Sequence, residues 1–179
     1  FAVSNYYNKV KMVLLEKGVP STEERVKTGS AGEAVLSCSP LGKVPFIRTE
    51  QGSLCESQAI LDYLEALQSE PRLLPADPAR RWETTQWLMF QMGGIGPMFG
   101  QVGFFHKFAG KDYADKRPRD RYVAESARLL GVLDGRLRGR RWVMGDDYTI
   151  ADIAIFPWVR NLVGFYEAGE LVRFERFIQ

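Results

Sequence analysis

The stretch that decides the fold is "SPLGKVPFI", residues 39–47, which is followed after a short turn by "SLCESQAILDYLEAL", residues 53–67. Proline cannot donate a hydrogen bond to a neighbouring strand, so Pro45 at the start of an apolar strand indicates a special backbone geometry. The second segment opens a predicted helix on an acid and a hydroxyl, Glu56 and Ser57. Together these features indicate that backbone near the proline is kept exposed for a partner.

The first 69 residues alternate between strand and helix patterns. "KVPFIRT" and "SLCES" flank a turn at Gln51 and Gly52, which predicts a hairpin. Ile60, Leu64 and Leu67 follow at helical spacing. The segments before the hairpin are "FAV" as the end of a strand, "NKVKMVLLEKG" as a helix stopped by Gly18, and "STEERV" as a second strand. This order predicts a small α/β unit over residues 1–69.

From residue 70 the pattern is almost wholly helical. Three prolines in residues 70–78 indicate a linker, with a helix starting near Pro78. The predicted helical stripes are Trp82, Thr85, Leu88 and Met89 in the first helix and, after Pro118, Val123, Ala127, Leu130, Leu133 and Leu137 in a second. We therefore expect a helical domain over residues 79–179.

One segment of the second half, "DDYTIADIAIFPWV", carries a strong helix-start signal. The Thr149 side chain is placed to cap the N–H of Asp152, and the Asp152 carboxylate to reach back to the N–H of Thr149. Tyr148 is spaced to pack on Ile153 as a hydrophobic staple. This pattern predicts a structural role for the segment.

Composition narrows the class of protein further. Hydrophobic residues make up 45% and charged residues 26% of the 179 residues, with a net charge of +2, so we expect a globular protein with neither nucleic acid nor a membrane as partner. Cys38 and Cys55 are expected as small buried hydrophobic residues in a reduced cytoplasmic setting. His106 is the one histidine, and no spacing indicates a metal site. We expect both ends to be truncated relative to the natural product.

"SPLGKVPFI", the "ES" that opens the next helix, the proline-bearing linker and "YTIADIAIFPW" together resemble the cytosolic glutathione transferase family over essentially the whole chain. The resemblance implies a thioredoxin-like N-terminal domain, a helical C-terminal domain, a homodimer and glutathione as co-substrate. "QWLMFQMGGIGPMFGQ" resembles bacterial proteins of the nu-class, some of which reduce disulfides with glutathione.

The resemblance also implies a glutathione-binding set. The Val44–Pro45 bond would be cis, and the backbone of Val44 would pair with the cysteinyl part of glutathione. Glu56 would bind the ammonium of the γ-glutamyl end, Ser57 its carboxylate, and Lys43 the other end of the peptide.

The thiol of glutathione is expected near "SNYYNKV", between the first strand and the first helix. Ser4 falls where serine-type members of the family place the hydroxyl that stabilises the thiolate. Tyr6 and Asn5 remain alternatives, because the local sequence departs from each of the best-known family patterns. Lowering a thiol pKa by about two units requires roughly 2.7 kcal/mol of differential stabilisation, which donors at a helix N-terminus can supply.

"MGGIGPMFGQ" lacks the lysine and hydroxyl residue of a phosphate loop and follows a helix, so its glycines are expected to let a helix kink and approach its neighbours. We expect Tyr6, Met98, Phe99 and Phe105 to line an apolar pocket for the second substrate. We expect first that the protein conjugates glutathione to an electrophile, with detoxification as the biological role. The alternatives are glutathione-dependent disulfide reduction and a non-catalytic interaction module.

Overall fold

The computed structural model describes residues 3–26 and 32–174. The chain divides into two compact units, residues 1–73 and residues 74–179. Each unit is considered by itself below.

The first unit combines helices with one hairpin. Its elements are α1 (Asn5–Glu16), α2 (Glu33–Leu36), β1 (Phe46–Thr49), β2 (Gly52–Cys55) and α3 (Ser57–Leu67). The strands β1 and β2 pair antiparallel, with Phe46 opposite Cys55 and Thr49 opposite Gly52, which confirms the predicted hairpin. Helix α3 packs on α1 and on both strands.

The core of the first unit lies between α1 and α3. Helix α1 buries every fourth residue along one face, and the members of this stripe are Asn5, Lys9, Val13 and Lys17. Gly18 follows with φ +62°, a left-handed conformation that suits the predicted helix stop. On α3, Ile60 and Leu64 are buried as their spacing indicates, whereas Leu67 is 56% exposed.

The predicted second strand, residues 21–26, is not formed. Residues 21–25 are exposed and polar, and their contacts run through side chains: Glu23 binds Lys11 and the hydroxyl of Tyr7, and Glu24 binds Arg48. The proposed partner strand began at residues 1–2, which lie outside the described residues, and Val3 is in a turn. The prediction of a strand at "STEERV" is therefore wrong for residues 21–26.

The second unit is helical. Its main helices are α4 (Pro78–Phe90), α5 (Gly96–His106), α6 (Arg117–Leu137) and α7 (Ile150–Val163). The predicted start of α4 is confirmed, because Asp77 caps the helix through the N–H of Arg80 and Pro78 occupies the first turn. A π-helical segment, Gln91–Ile95, joins α4 to α5, and a 3₁₀ turn, Ala109–Asp112, follows α5.

Of the predicted stripe on α4, Leu88 is buried as expected, whereas Trp82 and Met89 are not. Thr84, Trp87 and Leu88 are the buried residues of α4, whereas Trp82 is 73% and Met89 is 52% exposed. The spacing of Trp82 and Met89 is helical, but the face that packs against α7 is a different one. On α6 the face is shifted in the same way: Leu130 and Leu133 are buried with Ser126 and Leu129, while Val123, Ala127 and Leu137 are half-buried.

Small residues allow close helix approach around the π-helical segment, as expected. A Cβ atom at Gly103 on α5 would lie 2.9 Å from the ring of Tyr166. A Cβ atom at Gly96 would lie 3.0 Å from the side chain of Gln91 and 3.4 Å from Trp158 on α7. Larger side chains at these positions would push α5 away from its neighbours.

The predicted capping box at the start of α7 is confirmed. The side chain of Asp152 accepts the N–H of Thr149 at 2.9 Å, and the Thr149 hydroxyl accepts backbone N–H groups of the first turn. Asp152 also accepts the N–H of Val143 at 2.8 Å, which joins the preceding loop to the helix. The ring of Tyr148 packs on Trp142, with centroids 4.7 Å apart.

Candidate glutathione site

Ser4 lies at the N-terminal end of α1 and caps it. Its Oγ accepts the N–H of Tyr7 at 3.3 Å, and the residue is half-buried. Because the hydroxyl accepts this bond, its own proton remains available to donate to a ligand. A hydroxyl at a helix N-terminus is also well placed to stabilise an anion such as a thiolate.

The two alternative donors differ in accessibility. Asn5 is buried at 4% exposure, whereas Tyr6 is 39% exposed. Burial of the Tyr6 phenol and the nearby charge of Glu56 raise the pKa of this group. The phenol therefore keeps its proton at neutral pH and can donate a hydrogen bond, but it is not a base.

The Val44–Pro45 bond is cis, as expected. Val44 is 38% exposed, and the N–H of Lys43 donates to Oγ of the buried Ser39 at 3.1 Å. The Lys43 side chain is exposed. Val44 and Lys43 are thus exposed, while the hydrogen bond to Ser39 fixes the loop that carries them.

Glu56 links β2 to α3 in an uncommon conformation. Its φ is +66° and its ψ is 111°, a region that costs a non-glycine residue on the order of 1 to 3 kcal/mol. It occupies the N-cap position without a side-chain cap, and the residue is exposed. The carboxylate is therefore free to face a ligand, and backbone strain of this kind is concentrated at functional sites.

Ser57 is the first residue of α3 and is only 3% exposed. Its Oγ has no hydrogen-bond partner among the described residues. A buried hydroxyl without a partner costs about 1 to 3 kcal/mol. A ligand that forms a hydrogen bond with this hydroxyl would remove that cost. The N–H groups of the first turn of α3 lie beside it and favour a carboxylate.

The hairpin and the helix pair bring these groups together. The register places Phe46 opposite Cys55. Pro45, which precedes Phe46, and Glu56, which follows Cys55, therefore both lie at the open end of the hairpin. Helix α1 packs on α3, and the charge of Glu56 acts on Tyr6. This charge effect indicates that the Ser4 end of α1 and the Glu56 end of α3 lie near each other.

One residue near this site was missed by sequence reasoning. Lys9 on α1 is completely buried and feels the charges of Asp62 and Glu56. The sequence signal for its burial was its spacing: Lys9 lies four residues after Asn5 and four before Val13, and both of these lie on the buried stripe of α1.

The residues expected to line the second-substrate pocket differ in solvent exposure. Met98 and Phe105 are half-buried, and the Phe105 ring stacks on Tyr122 at 5.7 Å. Phe99 has no exposed surface, so it is a core residue of the helical unit and the expectation for Phe99 is corrected. A fully buried ring offers no surface to a substrate.

The cysteines also differ from expectation. Cys38 and Cys55 are free thiols, and both are half-buried rather than buried. The Nε–H of Arg48 donates to Sγ of Cys38 at 3.3 Å. Among residues 3–26 and 32–174, no group of three His, Cys, Asp or Glu side chains is arranged to hold a metal ion.

Two family models match the chain. Residues 1–72 match the N-terminal domain of glutathione S-transferase, and residues 118–177 match its C-terminal domain. The chain belongs to the glutathione S-transferase family. The fold class is thereby confirmed as a thioredoxin-like domain followed by a helical domain, and the protein is an enzyme of the glutathione transferase class.

Named relatives include both transferases and oxidoreductases. A glutathione S-transferase of Pseudomonas putida is 36% identical over 86% of this chain and 68% of its own length. The disulfide-bond oxidoreductase YfcG of Escherichia coli is 36% identical over 89% of this chain and 77% of its own length. The family thus includes two reaction types at the same level of identity.

Solved structures of bacterial transferases are more similar still. A glutathione transferase family member from Pseudomonas fluorescens, with two glutathione molecules bound, is 54% identical with a TM-score of 0.92, over 98% of this chain and 80% of that one. A transferase from Pseudomonas putida, with one glutathione disulfide bound per subunit, is 53% identical with a TM-score of 0.91, over 98% of this chain and 79% of that one. In the described part of this chain, no helix combines the length and apolar character of a membrane span.

Proposed function

We propose that the N-terminal unit binds reduced glutathione and activates its thiol as a thiolate. The observation that carries the proposal is the buried Ser57 hydroxyl without a partner, beside Glu56 at φ +66°. Ser57 and the N–H groups of α3 bind the γ-glutamyl carboxylate, and Glu56 binds the ammonium. The backbone of Val44, presented before Pro45, pairs with the cysteinyl part, and Lys43 contacts the other end of the peptide.

Ser4 is the proposed donor to the glutathione sulfur. Its hydroxyl accepts from the backbone of α1 and donates to the thiolate, so it stabilises the anion without becoming a nucleophile. Tyr6 is the next candidate, because its raised pKa keeps the phenol protonated and its ring is partly exposed. The buried amide of Asn5 ranks after both.

Disulfide reduction is the reaction that we propose first. The thiolate of one glutathione attacks a sulfur of the substrate, forming a mixed disulfide and releasing one thiolate. A second glutathione attacks the glutathione sulfur of the mixed disulfide, giving glutathione disulfide and the second substrate thiol. The name of YfcG and the two glutathione molecules in the Pseudomonas fluorescens structure support this choice over the conjugation expected from the sequence.

Conjugation remains the second candidate. Tyr6 of the first unit is 39% exposed, and this apolar surface suits a hydrophobic electrophile. A role in detoxification belongs to this alternative, in which the thiolate forms a bond to carbon and displaces a leaving group.

The proposal includes the domain plan and the setting. Residues 1–69 form the glutathione-binding domain, 70–78 a linker and 79–179 the helical domain, and the division of the chain near residue 73 supports this plan. We place the protein in the cytoplasm, where reduced glutathione is abundant and the two free cysteines stay reduced. We further propose a homodimer, supported by the exposed Trp82 and Met89 on α4.

The test compares the parent with Ser4→Ala on a small disulfide and on an aryl halide, both with glutathione. We expect parent turnover of the disulfide, and a loss of about 100-fold in kcat/KM in the variant, the size found for removal of one donor to a developing anion. Binding of S-methylglutathione should be unchanged in Ser4→Ala. Ser21→Ala, at an exposed serine, is the matched control and should keep full activity.

Three outcomes would change the proposal. A Ser4→Ala variant with full rate would move the donor to Tyr6. Turnover of the aryl halide alone would favour conjugation. A parent that binds glutathione and is inert towards both substrates would favour the non-catalytic interaction module.

A further inference from the structure

Asn8 is a polar residue of α1 that helix formation itself does not favour. It lies near the N-terminal end of the helix, between Tyr7 and the buried Lys9, and is half-buried. Asparagine is among the weaker helix formers, because its amide competes with the backbone for hydrogen bonds. A specific contact of the side chain would explain its presence here.

The side chain of Asn8 binds the backbone of Ser4. Its Nδ2 donates to the carbonyl oxygen of Ser4 at 2.8 Å, and the backbone N–H of Asn8 donates to the same oxygen at 3.0 Å. A carbonyl oxygen has two lone pairs, so it can accept both bonds. The backbone of the proposed thiolate donor is thus held twice by one residue.

Only one of these two bonds is part of the helix. The bond from the backbone N–H of Asn8 is the ordinary bond of a first helical turn, whereas the bond from Nδ2 is an addition that depends on the side chain. Ser4 precedes the helix with φ −68° and ψ 124°, and its Oγ accepts the N–H of Tyr7 at 3.3 Å. The side-chain bond of Asn8 therefore restrains the residue at the point where the chain enters the helix.

We infer that Asn8 is a positioning residue for the Ser4 hydroxyl, which it holds in place through the Ser4 carbonyl. The inference rests on the proposed function, in which this hydroxyl donates to the sulfur of glutathione. A donor stabilises an anion best when its position is fixed before the anion forms. Because the side chain of a residue moves with its backbone, a restraint on the Ser4 carbonyl also restrains where its Oγ points.

The chain itself shows which residue can replace Asn8. Thr84 and Thr85 on α4 each donate a hydroxyl proton to the carbonyl four residues earlier, at 2.9 and 3.0 Å. Threonine at position 8 can reach the Ser4 carbonyl in the same way. Valine has nearly the same shape and helix propensity but no hydroxyl, so Asn8→Thr and Asn8→Val form a matched pair.

The test measures turnover of the substrate that the parent accepts and the titration of the bound glutathione thiol. Asn8→Val should lower kcat/KM by about five- to tenfold, because the hydroxyl loses part of its restraint while the backbone bond remains. It should also raise the pKa of the bound thiol by about 0.5, measured by the ultraviolet absorbance of the thiolate. Asn8→Thr should keep both values close to those of the parent.

Two controls separate positioning from general damage. S-methylglutathione has no free thiol, so both variants should bind it as tightly as the parent does. Thr49→Val removes a hydroxyl that donates to the carbonyl of Gly52 at the turn of the hairpin, and it should keep full activity. The charged and titratable groups near this end of α1 include Tyr6, Lys9 and Glu56, and they are present in every variant.

A double-mutant cycle tests whether Asn8 acts through Ser4. In a Ser4→Ala background, Asn8→Val should cause no further loss of rate, because the hydroxyl that it positions is gone. An equal loss in both backgrounds would overturn the inference. If Asn8→Val does not fold, Asn8→Ala replaces it, since alanine also lacks the donor and is the best helix former.

The remaining outcomes separate the inference from the proposed function. Parent-like rate and thiol pKa in Asn8→Val, equal losses in Asn8→Val and Asn8→Thr, or weakened S-methylglutathione binding in Asn8→Val would each overturn the inference alone. A Ser4→Ala variant with full rate would overturn the assignment of Ser4, and the inference with it. A parent that does not bind glutathione would overturn the proposed function as a whole.

Discussion

At Glu56 the backbone conformation favours glycine, whereas the residue carries a charged side chain. The φ of +66° suits glycine, yet a carboxylate is present at this position. The proposed role in glutathione binding would explain this residue, because glycine has no side chain to receive the ammonium of the ligand.

Glu56→Ala and Glu56→Gly form a matched pair that separates binding from strain. Both variants should weaken S-methylglutathione by about 1.5 to 3 kcal/mol, as expected for loss of a charge-assisted hydrogen bond. Glu56→Gly should also be more stable than Glu56→Ala by about 1 kcal/mol, because glycine adopts positive φ without strain. Calorimetry and urea unfolding measure the two effects.

Unchanged affinity in a folded Glu56→Ala variant would contradict the assignment of the ammonium partner. Equal stability of the two variants would instead contradict the strain at this turn.

Cys38 is set apart from Cys55 by its neighbours. Hydrogen bonds from Ser53 and Arg48 lower the pKa of the Cys38 thiol. We expect Arg48→Leu to move the pH midpoint for alkylation of Cys38 by iodoacetamide upward, because the thiolate is the reactive form and the variant loses one of the donors that stabilise it. Mass spectrometry of the Cys38 site between about pH 6 and pH 9 measures the midpoint in parent and variant. An unchanged midpoint in the variant would refute the expectation.

At the scale of the element, the start of α7 shows how a local motif acquires a wider role. Thr149 and Asp152 cap the helix, and Asp152 also holds the N–H of Val143. Thr149→Ala should lower the free energy of unfolding by about 1 kcal/mol, the usual effect of losing a cap. Asp152→Ala should cost more, because it leaves two buried N–H groups without their acceptor.

Urea unfolding of both variants checks this order, with S-methylglutathione affinity as the control that should stay constant. A smaller loss for Asp152→Ala than for Thr149→Ala would show that the bond to Val143 contributes little.

At the scale of the whole molecule, the exposed face of α4 is the candidate surface for the proposed homodimer. Trp82 is 73% and Met89 is 52% exposed on α4, an unusual position for two large apolar side chains. If this face joins two copies, the parent should be a dimer by light scattering and Trp82→Glu should be largely monomeric. Phe156→Glu, at another exposed aromatic residue, should remain a dimer. The reverse result would place the interface on α7, and a monomeric parent would exclude the dimer.

The features that the sequence by itself determined are those that depend on a few adjacent residues. The hairpin around Gln51, the capping box at Thr149 and the start of α4 at Pro78 are confirmed because turn and cap geometry is local. The cis bond before Pro45 followed from the resemblance to the family, since its residues stand in the family order.

Tertiary structure alone decided which faces are buried and which groups meet. Helical spacing identified a stripe at Trp82 and Met89, but packing against α7 selected the face of Thr84 and Trp87, because several faces of one helix can show helical spacing. The partnerless hydroxyl of Ser57 and the burial of Lys9 near Glu56 likewise depend on α3 packing against α1 and the hairpin. Burial and long-range charge depend on residues far apart in the chain, so a local pattern cannot specify them.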